Sequence, residues 1–195
     1  MIAAASKPLS KRLASRRWTF AEMEAELPET NLPTELWDGE LIMSPSPSFF
    51  HQEIVSRFYD ALKAWVGPRK LGKVAFAPAD MVLAPRRAVQ PDVLFVTKER
   101  CDIIGTRVNG PADLVAEVVS PESRSRDRIE KRDLYEQHGI REFWLLDPEA
   151  ETVEVFVLTA GEYRLLGRWR PGETARSEIL KGFSLPVGKL FKDEL

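Results

Sequence analysis

Cysteine and histidine are almost absent: the 195-residue chain has one Cys, Cys101, and two His, His51 and His138. A single cysteine excludes an intramolecular disulfide, and without close His/Cys pairing there is no material for a zinc site. Any metal must then be a hard cation held by oxygen. No apolar run approaches the roughly 18 residues that a membrane span needs, and no long apolar h-region opens the chain. The expectation is a soluble protein of the reducing cytoplasm, with no membrane partner. The last residues, Lys192 to Leu195, spell an ER-retention signal, which is read as coincidence because it has no meaning outside the secretory pathway.

Positive charge is also lacking overall. The formal net charge is -2, so the whole molecule has none of the strong field that many nucleic-acid binders use for non-specific affinity. Cations are unevenly spread, however: Lys7, Lys11, Arg12, Arg16 and Arg17 make one basic stretch, and Arg124, Arg126, Arg128, Lys131 and Arg132 another. Such patches either grip phosphates or form solvated surface, the second one being balanced by Asp127, Glu130 and Asp133. The G-x-S-x-G elbow, the Walker-type phosphate loop and the G-x-G-x-x-G fingerprint are all missing, which leaves serine hydrolase, NTPase and dinucleotide-binding readings unsupported.

What is present suits one well-buried core. Residues 1–17, rich in Ala, Ser and Lys/Arg, read as a flexible basic arm, and 18–195 as one domain. Thr19 with Glu22 has the spacing of a capping box and predicts a helix to about Glu26, ended by Pro28 and Pro33. Asp38-Gly39 predicts a hairpin turn inside 35–43. Phe50, Ile54, Val55, Phe58, Ala61, Leu62 and Trp65 recur at helical spacing, predicting a helix over 48–66 with Gly67-Pro68 as its stop. Short β-rich runs follow at 73–76, 80–83, 92–96 and 114–119, the last two having the composition of buried central strands. A helix over 127–138 ending at Gly139, strands at 142–146, 152–158 and 163–169, and an irregular close over 183–191 complete the pattern. The class is α/β (α+β): a mixed sheet flanked by helices, with a candidate βαβ unit from 114 to 146.

Two acids stand out against this background. Asp92 opens the apolar run Pro91-Asp-Val-Leu-Phe-Val, and Glu117 interrupts Leu114-Val-Ala-Glu-Val-Val, apolar on both sides. Burying an ionised group costs several kcal/mol unless a cation compensates it. A divalent cation between the two acids is one compensation; pairing with arginine or capping a strand end is the other. Lys131 shares a helix face with Leu134 and Tyr135, so it either turns toward the sheet or pairs with Asp127 on the surface. His51 lies in the apolar stripe of the long helix and is expected inward, whereas Glu53 points away.

The ordered set of Pro91-Asp92, Glu117-Val-Val-Ser-Pro, Asp127-x-x-x-Lys131-x-x-x-Tyr135 and Gly139-Ile-Arg-Glu-Phe-Trp-Leu-Leu-Asp-Pro148 resembles the Uma2 family of restriction-endonuclease-like proteins. Asp38-Gly39-Glu40, Ser44-Pro45 and His51 extend the resemblance upstream, over about residues 18 to 190. It implies the PD-(D/E)XK fold and hydrolysis of DNA phosphodiesters with Mg²⁺ or Mn²⁺. Asp92 and Glu117 are then the metal-holding acids, with the Val118 carbonyl as a further ligand. The pattern is broken at Val119, which stands where the motif lysine belongs, and Lys131 is the implied substitute. Asp80, Tyr135 and His51 are second-rank site residues. A homodimer is attractive for cutting both strands of a duplex. The alternative is a nucleic-acid-binding or assembly module that keeps the fold without the chemistry.

Overall fold

The computed structural model describes residues 16–27, 34–120 and 129–192. Its first helix, α1, Phe20–Glu26, begins at the expected capping box: Thr19 accepts the Glu22 amide, and the Glu22 carboxylate takes the Thr19 N–H at 2.7 Å. Two amides that a first turn leaves unbonded are thereby satisfied. The capped turn drops Trp18 and Phe20 against Leu36 and Ala88 in a small core of their own. Strands β1, Thr34–Trp37, and β2, Glu40–Met43, form the predicted hairpin. Asp38 and Gly39 have φ of 49° and 86°, the positive values that a two-residue type I′ turn requires. Gly39 is doubly constrained, because a Cβ there would stand 3.0 Å from the Trp18 carbonyl oxygen.

Helix α2, Phe49–Arg69, is capped by the Ser48 hydroxyl, which accepts the His51 amide. Ile54, Val55, Phe58, Leu62 and Val66 form its buried stripe, as the spacing predicts. The predicted stop does not hold. Gly67 and Pro68 lie inside the helix, and the chain leaves it at Lys70, whose φ is 53°. A proline in the last turn removes only the bond to the carbonyl of Ala64, a water-exposed residue. The Lys70 and Leu71 amides, bonded to the Gly67 and Val66 carbonyls, close the end instead.

Strands β3, Gly72–Phe76, β6, Val93–Thr97, β8, Leu114–Val118, β9, Glu142–Asp147, β10, Thr152–Thr159, and β11, Glu162–Trp169, form a mixed sheet in the order β11-β10-β9-β8-β6-β3. The β8–β9 pair is parallel and crosses over through α3, Lys131–Gln137, which is the predicted βαβ unit. The two runs expected to be central, β6 and β8, are neighbours in the sheet interior and almost wholly buried. One face of this pair, with Val93, Phe95, Leu114 and Ala116, packs on the α2 stripe. The other, with Leu94, Val96 and Val115, packs on Leu134 and Tyr135 of α3 and on Met81, Val89 and Val108.

Those last three residues belong to a second sheet, ordered β2-β1-β5-β4-β7, with β4 Met81–Ala84, β5 Arg87–Val89 and β7 Val108–Asn109. Fully burying a Val, Leu or Phe contributes about 1.5–3 kcal/mol, so strands packed on both faces are the stiffest part of the fold. Helix α3, expected from Asp127, is regular from Lys131; Asp127 and the Arg124, Arg126 and Arg128 cluster lie outside the described residues. It ends as predicted at Gly139, with φ 77°. The segment expected to close the chain irregularly is ordered: β13, Ser184–Pro186, pairs with β12, Thr174–Arg176, and α4, Gly188–Phe191, follows. Leu185, Val187 and Leu190 are buried in the α2-side core, and elements this short carry too few residues for any periodicity to show. Among the described residues no helix is long and apolar enough to cross a membrane.

Candidate active site

Strands β6 and β8 run antiparallel with Val93 opposite Ala116, so one step further Asp92 stands opposite Glu117. Opposed residues have Cβ atoms about 4.5–5.5 Å apart, so the sheet register is what places the two acidic residues at one end of the neighbouring strands. Asp92 is oriented by the Val118 amide, which donates to its Oδ2 at 2.7 Å. The His51 ring, in the first turn of α2, places Nε2 3.3 Å from the same oxygen and 3.1 Å from the Val118 carbonyl oxygen. His51 is therefore inward and reaches over the strand ends, and the carbonyl expected as a further ligand here faces its ring. Glu53 pairs instead with Arg57, at 3.2 Å, away from this cluster.

Glu117 is only 2% exposed. Its Oε2 accepts the Lys131 ammonium at 2.9 Å and its Oε1 the Tyr135 hydroxyl at 2.5 Å. Of the two orientations open to Lys131, the structure has the inward one, and the side chain is buried. One helical turn separates Lys131 from Tyr135, so the first two turns of α3 supply both donors to a single carboxylate.

A third acid, which no sequence pattern singles out, completes the cluster. Glu35, on β1, is 5% exposed and brings Oε1 to 3.3 Å from the Lys131 ammonium. That oxygen also accepts the Gln90 amide at 3.1 Å, and Oε2 accepts the Trp37 indole N–H at 2.9 Å. The one signal in the sequence is Trp37 two residues on, which lies on the same face of an extended strand and carries a donor that a buried carboxylate can use. Asp80 is further back: Gln90 donates its side-chain amide to Asp80 Oδ1 at 2.8 Å, so Asp80 reaches the cluster through Gln90.

Glu117 and Glu35 thus meet Lys131, whereas Asp92 meets His51 and the Val118 amide, an excess of carboxylates over lysine among these partners. A divalent cation matches that excess. Among the described residues no group of three or more His, Cys, Asp or Glu side chains is arranged to hold a metal. Two carboxylates on adjacent strands nevertheless fit Mg²⁺, which is commonly held by one or two carboxylates with water and substrate phosphate completing its octahedron. Glu35 has one oxygen tied to a main-chain amide and the other to an indole N–H, and is the poorer donor of the three.

A family model described as "Uma2: Putative restriction endonuclease" matches residues 19–188. A crystal structure described as "a putative nuclease belonging to DUF820", from Anabaena variabilis ATCC 29413, aligns with a TM-score of 0.76 at 21% sequence identity, covering 89% of this chain and 97% of that one. At that identity the likeness is one of fold, a mixed sheet flanked by helices. No curated protein matches the chain significantly. With the family model extending over nearly the whole of the sequence, from the capped first helix to the closing one, the chain belongs to the Uma2 family.

Proposed function

We propose that this protein is a divalent-metal-dependent endonuclease that hydrolyses DNA phosphodiester bonds, with Asp92, Glu117 and Lys131 as its catalytic residues. The observation that supports the reading is the register of β6 on β8, which sets two acidic residues opposite each other with a buried ammonium on one of them. Nothing in the packing requires this: two like charges directly opposite in a sheet are destabilising. Asp92 and Glu117 would hold Mg²⁺ or Mn²⁺, which when bound supplies Lewis acidity toward a phosphate oxygen and toward the attacking water.

The chain's own residues account for the rest of the chemistry. Lys131 takes the place that Val119 leaves empty in the family motif; its ammonium approaches from α3 rather than from β8 and offers a compact positive charge to the phosphorane-like transition state. Tyr135 fixes the Glu117 carboxylate by donating to its second oxygen. His51 donates to Asp92 and to the Val118 carbonyl and so holds the strand end against α2. Cutting both strands of a duplex commonly uses two such sites, which favours a homodimer, and a molar mass in solution equal to two chains is the expected result.

The test is cleavage of supercoiled plasmid by the purified protein with Mn²⁺, beside Asp92→Ala. The wild type is expected to nick and linearise the plasmid and the variant to lose at least a hundredfold. Identical behaviour of the two proteins would sink the proposal. Val119 and the net charge of -2 favour the second reading, a binding or assembly module without chemistry. That reading predicts plasmid binding without nicking and no response of stability to Mn²⁺.

A further inference from the structure

Among the described residues Lys131 meets two carboxylates that differ in kind. Glu117 belongs to the strand pair proposed to hold the cation, and its oxygens meet the donors of two side chains, Lys131 and Tyr135, which can adjust with it. Glu35 belongs to the other sheet, and its oxygens are tied to a main-chain amide, that of Gln90, and to the rigid indole of Trp37. Were Glu35 to swing toward an arriving cation, two part-buried N–H groups would lose their acceptor, a costly exchange. Its carboxylate is therefore the more firmly held of the two.

The Lys131 ammonium sits on Glu117 Oε2, on the carboxylate that would share a cation with Asp92. Were Glu117 to share its charge with a cation, its hold on Lys131 would weaken. A buried ammonium without a counter-charge is unstable and would withdraw. Glu35, 3.3 Å from the same nitrogen, is a counter-charge that stays in place.

We infer that Glu35 is a positioning residue for Lys131: its firmly held carboxylate keeps the ammonium beside the acid pair while Glu117 is engaged by the metal. The catalytic consequence rests on the nuclease reading, whereas the contact itself does not. Substituting Glu35→Gln in the full chain removes the charge and keeps the shape. Mn²⁺ affinity by calorimetry and the kinetics of DNA cleavage are then compared for wild type, Glu35→Gln, Lys131→Met and the double variant.

Mn²⁺ affinity is expected to stay within about threefold of wild type, since Glu35 acts at a distance through a screened charge. KM for DNA should be unchanged and kcat should fall about tenfold or more, as expected when a group that stabilises developing charge is misplaced. The double variant should be no slower than Lys131→Met alone. A loss of Mn²⁺ affinity as large as that of Asp92→Ala would make Glu35 a ligand and overturn the inference, and so would independent, multiplicative losses in the double variant.

If the wild type binds Mn²⁺ but cuts no DNA, the nuclease reading falls and the inference is read from thermal unfolding of the same four proteins. The coupling between positions 35 and 131 must then increase when Mn²⁺ is added, because Lys131 leans more on Glu35; an unchanged or smaller coupling overturns it. Absence of Mn²⁺ binding to the wild type overturns both. Should Glu35→Gln fail to fold, Glu35→Asp, which keeps the charge and shortens its reach, enters the same comparison with the same expected pattern.

Discussion

By the β6–β8 register Asp92 stands opposite Glu117, and the amide of Val118, the neighbour of Glu117, holds the Asp92 carboxylate at 2.7 Å. The main chain of one strand thus orients the acid of the other. On the proposed function a divalent cation held by the two acids would relieve their repulsion, and stability should respond.

Mn²⁺ or Mg²⁺ is therefore expected to raise the thermal midpoint. A cation at a hundredfold its Kd stabilises by about 2.7 kcal/mol, roughly 5–10 °C for a chain of this size. Asp92→Asn removes one donor and should abolish most of the shift. A wild-type midpoint indifferent to millimolar Mn²⁺ would refute a metal site at this pair.

Replacing Lys131 by Met takes away the permanent cation between Glu117 and Glu35, both buried. Leaving buried charge uncompensated typically costs about 3–5 kcal/mol, so the metal-free variant should unfold at markedly lower denaturant. Its gain on adding Mn²⁺ should exceed that of wild type, because the cation then takes over the compensation that the ammonium gave. Chemical denaturation with and without Mn²⁺ measures both quantities, and an equal gain in the two proteins would contradict this balance of charges.

The acids of this site were legible because of where they stand. An unbroken apolar run on both faces of a strand admits no casual carboxylate, so Asp92 and Glu117 could be singled out and the helix face of Lys131 worked out by rotation. Glu35 was not legible. Its strand has four residues, and its burial is set by pairing with β5 and by the reach of a lysine about a hundred positions away, neither of which leaves a local periodicity. The long helix shows the complementary failure. Gly67-Pro68 is a strong local stop signal, yet tertiary packing of Val66 carried the helix through it, and Lys70 ended it with a left-handed turn that sequence pattern assigns to glycine.

His51 touches both the acid and the carbonyl of the opposite strand, so it supports the geometry of Asp92 without being needed for the fold of β6 or β8. His51→Ala should leave the structure intact, since Val118 still holds Asp92, and should weaken Mn²⁺ binding or cleavage by about 10–100-fold, as removal of such supporting partners does. Circular dichroism of the variant combined with Mn²⁺ titration checks this. A folded variant with wild-type Mn²⁺ affinity and cleavage would assign His51 a packing role only.

Acid sensitivity should have one identifiable source at the first helix. The Thr19 amide, then the Thr19 hydroxyl and Arg16, hold the Glu22 carboxyl down at about 2 from an ordinary 4.5. A carboxyl depressed in the folded state stabilises above its unfolded pKa, and that contribution is lost as pH falls through the folded value. The capping contribution of Glu22 is thus complete above about pH 5 and disappears toward pH 2. Glu22→Gln should be less stable than wild type at pH 7 and converge with it below about pH 3 in urea titrations; a constant difference across that range would reject the assignment.

Glu142 supplies the comparison that separates structural burial of an acid from functional burial. It too is a fully buried glutamate on a central strand, but its carboxylate oxygens are taken up by the Trp144 indole, the Ser177 hydroxyl and the Glu178 and Ile179 amides, at 2.6 to 3.0 Å. No lysine or arginine is among these partners, and the carboxylate serves to anchor the 177–180 turn onto the sheet. In Glu142→Gln an amide N–H₂ must confront donors, which should destabilise by about 1–3 kcal/mol while leaving the Mn²⁺-induced shift at its wild-type size. Glu117→Gln should do the reverse, removing the Mn²⁺ shift because the strand pair loses one of its two metal donors. Thermal melts of both variants with and without Mn²⁺ decide the matter: if Glu117→Gln keeps the shift, Glu117 is a structural acid like Glu142, and the proposed metal site must move elsewhere.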